Sequence, residues 1–194
     1  VYKTVKDLEQ VGASAVILED QEFPKRCALI KKIKLLDLKN SEKRIKTAIK
    51  AAKESNNILI FARTDALSAG SLKEAIKRAK SFRKLGADAI FITWINTLEE
   101  IKLIKRNLKS IPLIINITQD IKFDLVDIKK NDFKFILYSQ QLLNSYIDTT
   151  NATLKLIKNN KNPKFKNKAS DTLALLNFKK YLAIEENWIW KNMI

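Results

Sequence analysis

Short apolar runs alternate with amphipathic helical patterns along almost the whole chain, and no other feature restricts the fold as tightly. Five runs fit strands, at 13–18, 58–62, 89–93, 112–115 and 133–138. The first of them, 13–18, is continuously apolar and short, as a parallel strand covered on both faces should be. Helices are predicted over 1–11, 41–54, 71–85, 97–108 and 123–129. In 41–54, Ile45, Ala48, Ile49 and Ala52 share one face, and Ser41 is the expected N-cap. Ser71 is placed to cap the next helix and Gly86 to end it. Two more helices are expected at 140–158 and 170–190, the second with Leu173, Leu176, Tyr181 and Ile184 on its inner side. Five such βα units suit either an open doubly wound sheet or part of a (β/α)8 barrel.

Composition narrows the chemistry. The chain has one cysteine and no histidine, which excludes an internal disulfide, a zinc site of the usual kind and an imidazole base. Carboxylates, lysine, the thiol and hydroxyls are left, a set that suits magnesium, which takes oxygen ligands. A formal net charge of +16 raises nucleic acid as a partner. However, the cations are spread over the predicted helices at solvent-facing spacing, as in 73–80, so neither nucleic-acid nor membrane binding is expected. No apolar run approaches the roughly 20 residues of a membrane span, Val1-Tyr2-Lys3-Thr4 lacks a signal-peptide layout, and a cytoplasmic location is expected. Residues 159–169, which include Asn159, Asn160 and Pro163, read as a polar linker between a barrel segment at 1–158 and a terminal helix at 170–194.

Candidate functional residues gather at strand ends. Glu19 and Asp20 follow the first strand, Arg63 and Asp65 the second, Thr93 the third, and Asn116 and Thr118 the fourth. In a (β/α)8 barrel the C-terminal strand ends converge on one pocket, so this placement is chemically meaningful.

Four motifs occur in order: Glu19-Asp20-Gln21 closing a Gly12-to-Gln21 segment, Pro24-Lys25-Arg26-Cys27, Ala62-Arg63-Thr64-Asp65-Ala66, and Gly86-Ala87-Asp88-Ala89-Ile90-Phe91. Together they resemble the isocitrate lyase and phosphoenolpyruvate mutase superfamily and, within it, the 2-methylisocitrate lyases. The resemblance selects the barrel over the doubly wound sheet and implies that these are its C-terminal five βα units plus trailing helices, three units being expected before residue 1. It implies a magnesium-dependent retro-aldol cleavage, with manganese as a substitute ion, of a small carboxylic acid to pyruvate and succinate. By position, Lys25 and Cys27 would attend the cleaved bond and Glu19 would hold the metal through its water shell. Arg63, Asn116 and Thr118 would bind substrate carboxylate. The ligands that contact the metal directly are implied to lie in the preceding strands. A dimer or tetramer is implied too, with terminal helices exchanged between subunits. Trp188 and Trp190, two residues apart and so on different helix faces, would pack against a neighbouring subunit.

The chain departs from the family pattern in places. Ala28-Leu29 stands where Gly-His is usual, Thr93 replaces a glutamate, and Asn144 stands at an expected arginine. These losses motivate a rival expectation, a non-catalytic or truncated homologue. An oxaloacetate-cleaving relative or a phosphonomutase are further alternatives, the latter disfavoured by Gln21 and Cys27.

Overall fold

The structure, a computed structural model, describes residues 1–27, 32–55, 57–118 and 121–192, with side chains through 185. Ala28 and Leu29, and the side chains of Trp188 and Trp190, lie outside the described residues. The chain divides into two compact units, Val1–Leu142 and Leu143–Ile194.

The first unit alternates helix and strand: α1 (Tyr2–Gln10), β1 (Ala15–Glu19), α2 (Leu38–Lys53), β2 (Leu59–Thr64), α3 (Leu72–Leu85), β3 (Ala89–Ile92), α4 (Leu98–Asn107), β4 (Leu113–Ile117), α5 (Leu125–Lys130) and β5 (Phe135–Tyr138). All neighbouring strands are parallel and their spatial order is β1-β2-β3-β4-β5. A doubly wound sheet reverses its order partway; this one never does, so its helices stay on one face and the sheet curls as a segment of a (β/α)8 barrel.

Period-two alternation sorts the side chains. Ile60, Ala62, Ile90, Ile92, Leu113, Ile115 and Ile117 point toward the helices and join Ile45, Ala48, Phe82, Ile101 and Ile104 in the main core. Phe61, Ala89, Phe91 and Ile114 form a second, smaller cluster on the concave face, with Leu137 packed against it. That face is partly open: Ile17, Leu59 and Phe135 are each more than 40% exposed.

The helix boundaries have local causes. Ser71 accepts the Glu74 amide, and Gly86 at φ 111° closes α3 in the left-handed region that glycine enters without strain. Thr97 with Glu100, and Asp124 with Asp127, form capping boxes on α4 and α5. The expected cap at Ser41 is corrected: α2 starts one turn earlier because the Asp37 carboxylate accepts the Asn40 amide, and Ser41 is buried in the first turn.

Residues 143–158 of α6 (Gln141–Lys158), α7 (Ala169–Leu175) and α8 (Phe178–Asn192) make up the second unit. The single helix expected at 170–190 is two, interrupted where Asn177 adopts φ 54°. Asparagine tolerates that conformation, and the left-handed step stops the helical hydrogen-bond ladder. Leu173, Leu176, Tyr181 and Ile184, expected on an inner side, are exposed.

Candidate active site

The C-terminal ends of β1, β2, β3 and β4 open into one cavity of about 540 Å³, whose walls include Lys25, Cys27, Arg63, Asn116 and Thr118. A second cavity, of about 350 Å³, shares Lys25, Arg63 and Asn116 and adds Glu19. The sheet brings all six sequence-predicted site residues to these two cavities. The strand register explains why. Glu19 pairs with Arg63 across β1 and β2, and both occupy the concave-face positions of their strands, as Asn116 does in β4.

Glu19 is held between two cations, Lys25 Nζ at 3.0 Å and Arg63 Nε at 3.4 Å. Arg63 also forms a fork to Asp65, with Nε 2.9 Å from Oδ1 and an outer nitrogen 3.1 Å from Oδ2. Its guanidinium lies 5.5 Å from the centroid of the Phe91 ring. Cys27 is exposed at the cavity rim. Burial pushes the Asp65 carboxyl up, but hydrogen bonds from Arg63 and Thr93, the Arg63 charge and the Gln21 amide outweigh it and hold the group below the usual carboxylate range. Asp65 is therefore the fixed anion that orients Arg63.

Beneath this pair lies a polar network of which sequence reasoning caught only part. The Asp20 carboxylate accepts the Asp65 amide (3.0 Å), the Thr64 hydroxyl (2.6 Å) and Arg78 (3.1 Å). Arg78 also donates to Ser41 Oγ, the Leu36 carbonyl and Glu74. It belongs to 73–80, whose spacing predicts a solvated face, and it is buried instead. Its signal was available: Ala75, Arg78, Ala79 and Phe82 share the spacing of a buried stripe. Gln21 has a structural role that its place in the motif does not reveal. Its amide donates to Asp65 and its carbonyl accepts the Arg26 amide, which ties the Lys25–Cys27 loop to the second strand. Arg44 donates to the Glu19 and Gln21 carbonyls and fixes the same turn. Thr93 gives its hydroxyl to Asp65 at 2.6 Å.

Three polar atoms at the site are buried without a hydrogen bond among the described residues: Glu19 Oε2, Asn116 Oδ1 and Thr118 Oγ1. Leaving such a group unsatisfied costs about 1–3 kcal/mol, so together they mark where a polar ligand would be accommodated. Glu19 is the carboxylate at the cavity placed to meet the water shell of a magnesium ion, which needs only one or two carboxylates beside substrate and water. Among the described residues no three acidic or cysteine side chains converge. Asp20 and Asp65 have both oxygens engaged, whereas Glu19 Oε2 is ion-paired to Arg63 at 3.4 Å without a hydrogen bond among the described residues.

A family model described as phosphoenolpyruvate phosphomutase matches residues 1–158. A 2-methylisocitrate lyase from Aeropyrum pernix is 36% identical over 119 residues, covering 61% of this chain and 37% of that protein. The 2-methylisocitrate lyase of Halalkalibacterium halodurans is 32% identical over 141 residues, covering 71% of this chain and 46% of that one. The chain thus spans less than half the length of these curated relatives. Among solved structures, phosphoenolpyruvate phosphomutase from Streptomyces platensis subsp. rosaceus superposes with a TM-score of 0.86 at 22% identity, over 97% of this chain and 68% of the other. That likeness bears on fold and supports the barrel assignment. Among the described residues, no helix is long and apolar enough to cross a membrane.

Proposed function

The chain belongs to the phosphoenolpyruvate phosphomutase family, and from that premise we propose that it is a carbon–carbon lyase resembling 2-methylisocitrate lyase, with carboxylate-binding residues on the strands described above. The observation that carries this reading is the meeting of Arg63, Asn116 and Thr118 at one cavity, with buried oxygens on Asn116 and Thr118 unpartnered. A guanidinium presents two parallel donors to a carboxylate, the Thr118 hydroxyl adds one, and the Asn116 amide offers a donor and an acceptor. Lys25 and Cys27 stand at the same cavity, where the substrate bond to be broken would lie.

The reaction is a retro-aldol cleavage. A base removes the substrate hydroxyl proton, the carbon–carbon bond breaks, the hydroxyl carbon becomes a carbonyl, and the departing carbanion collects a proton from the Cys27 thiol or another acid. Divalent metal belongs to this reading only through Glu19. Its Oε2, paired with Arg63 but without a hydrogen bond, can accept from the water shell of Mg2+ or Mn2+, and no cluster of three acidic or cysteine side chains is present among the described residues. Phosphonopyruvate hydrolase, of the same fold, has been solved with oxalate and Mg++. A cytoplasmic location, a homo-oligomer, a linker at 159–169 and exchange of the terminal helix between subunits complete the proposal. The exposed Leu175, Leu176, Phe178 and Tyr181 suit burial in such an assembly.

The test is pyruvate release from 2-methylisocitrate by the 194-residue chain, compared with its Cys27→Ser variant. A fall of about 100-fold or more is expected, the usual scale for a positioned acid. An unchanged rate in an active preparation sinks the role of Cys27. No turnover, with carboxylate binding retained, favours the second reading, a non-catalytic homologue. That reading draws on the pairing of Glu19 with Lys25 and Arg63 and on the open concave face. Cleavage of oxaloacetate, or phosphonate production, would move the chain to another branch of the family.

A further inference from the structure

Four non-glycine residues among those described have positive φ: Trp94, Asp132, Asn160 and Asn177. Aspartate and asparagine have short polar side chains that tolerate the left-handed region, so three of these need no special account. Trp94, at φ 65°, does. A bulky residue keeps such a backbone only where its surroundings impose it, and such strain concentrates at ligand sites.

The surroundings of Trp94 give the reason. It lies two residues past the end of β3, between Thr93, whose hydroxyl is engaged with Asp65, and Ile95, which is buried in the main core. The chain is thus anchored on both sides of it. Trp94 itself belongs to neither hydrophobic cluster. It is half-buried and walls the cavity that holds Arg63, Asn116 and Thr118. Its indole N–H, which can only donate, has no hydrogen-bond partner among the described residues.

We infer that Trp94 is a specificity-determining residue of this cavity, its ring setting the room beside the bound carboxylate and its N–H donating to a second substrate oxygen. This rests on the carboxylate reading of Arg63 and adds a limit on the size of the acid. Arg63 supplies the charge and the indole a neutral donor on an apolar wall, so the pair favours a small 2-oxo or 2-hydroxy acid with one carboxylate at Arg63 and its carbonyl or hydroxyl at the indole. Bulk beyond that oxygen meets the ring.

The experiment uses the sequence's own scarcity of tryptophan. With three tryptophans in the chain, Trp188→Phe with Trp190→Phe leaves Trp94 as the sole emitter. The full chain carrying both changes is titrated with pyruvate and with oxalate, by fluorescence and by calorimetry in parallel. A saturable change in emission is expected, with the midpoint of the calorimetric isotherm, and Arg63→Ala abolishes both. Heat of binding that depends on Arg63 without any change in emission overturns the role of Trp94 and leaves the carboxylate site standing. No heat from either acid overturns both readings together. Selectivity is the second readout. Trp94→Phe keeps a ring and loses the donor, and should weaken pyruvate several-fold. Trp94→Ala should raise the affinity for 2-oxohexanoate relative to pyruvate by about tenfold, the scale on which a pocket discriminates added methylenes. An unchanged ratio overturns the inference.

Discussion

Asp65 is the residue on which the site's charge balance turns. It accepts two bonds from Arg63 and one each from Thr93 and Gln21, and these hold its carboxyl ionised below the usual range despite burial. An aspartate depressed in the folded state stabilises the fold above its unfolded pKa of about 3.9, and that contribution disappears as pH falls through the folded value. Asp65→Asn should therefore lower stability at pH 7 and flatten the acid limb of a stability-versus-pH curve below about pH 4, measured by urea unfolding at a series of pH values. Wild-type and variant curves of equal slope there would refute the assignment. Arg63→Ala should weaken carboxylate binding by at least tenfold, on the scale of a lost charge-assisted bidentate bond, as read by calorimetry. At this scale the sequence was informative where chemistry and motif coincided. Arg63, Asn116 and Thr118 stand out through the family motifs and their place at the strand ends, because arginine in an ion pair or threonine in a strand is by itself an ordinary structural residue. Arg78 and Trp94 do not, because a buried arginine looks like its surface neighbours until its partner is known, and a left-handed backbone leaves no mark in a residue's identity.

Among the elements, α3 does more than cover the sheet. Through Arg78 it reaches Asp20 at the end of β1, and Asp20 in turn receives the Asp65 amide at the end of β2. Removing Arg78 leaves a buried carboxylate without its cation, so Arg78→Met should cost about 3–5 kcal/mol in denaturant unfolding. The double variant with Asp20→Asn should recover part of that loss, since the stranded charge is gone. Equal costs for single and double variants would show that the pair is not coupled. Gly86→Ala should cost about 1–2 kcal/mol from the left-handed backbone at φ 111° alone. Its added Cβ would meet Ile49 at 3.6 Å, an ordinary contact, so crowding is not the cause. The elements of the first unit were legible almost throughout because helices capped by Ser71 and Thr97 and strands of unbroken apolar residues carry strong local signals. The misses came where two local signals competed. Asp37 outcompetes Ser41 as a cap because its side chain reaches the Asn40 amide, and Asn177 halts a helix that hydrophobic spacing alone would continue.

Across the described residues of the first unit, the strands are hydrogen-bonded only to the strands before and after them in sequence, in the order β1-β2-β3-β4-β5. Barrel identity is carried by that order more than by any single contact. The open concave face, with Ile17, Leu59 and Phe135 exposed, should bind a hydrophobic dye such as ANS in the native state. A chain that gives no fluorescence enhancement under native conditions would have this face covered, by association or otherwise. The same linear pairing makes the sheet a short one-dimensional array with two loose ends. Fraying enters from β1 and β5 and must pass β2 and β4 before reaching β3, so amide exchange should be slowest at Ile90 and Ile92 and quicken outward on both sides. Joining β1 to β5 through further strands would remove both ends at once. The array would then become a ring in which no strand opens before another, and the protection gained at the outermost amides would exceed what their new hydrogen bonds alone provide.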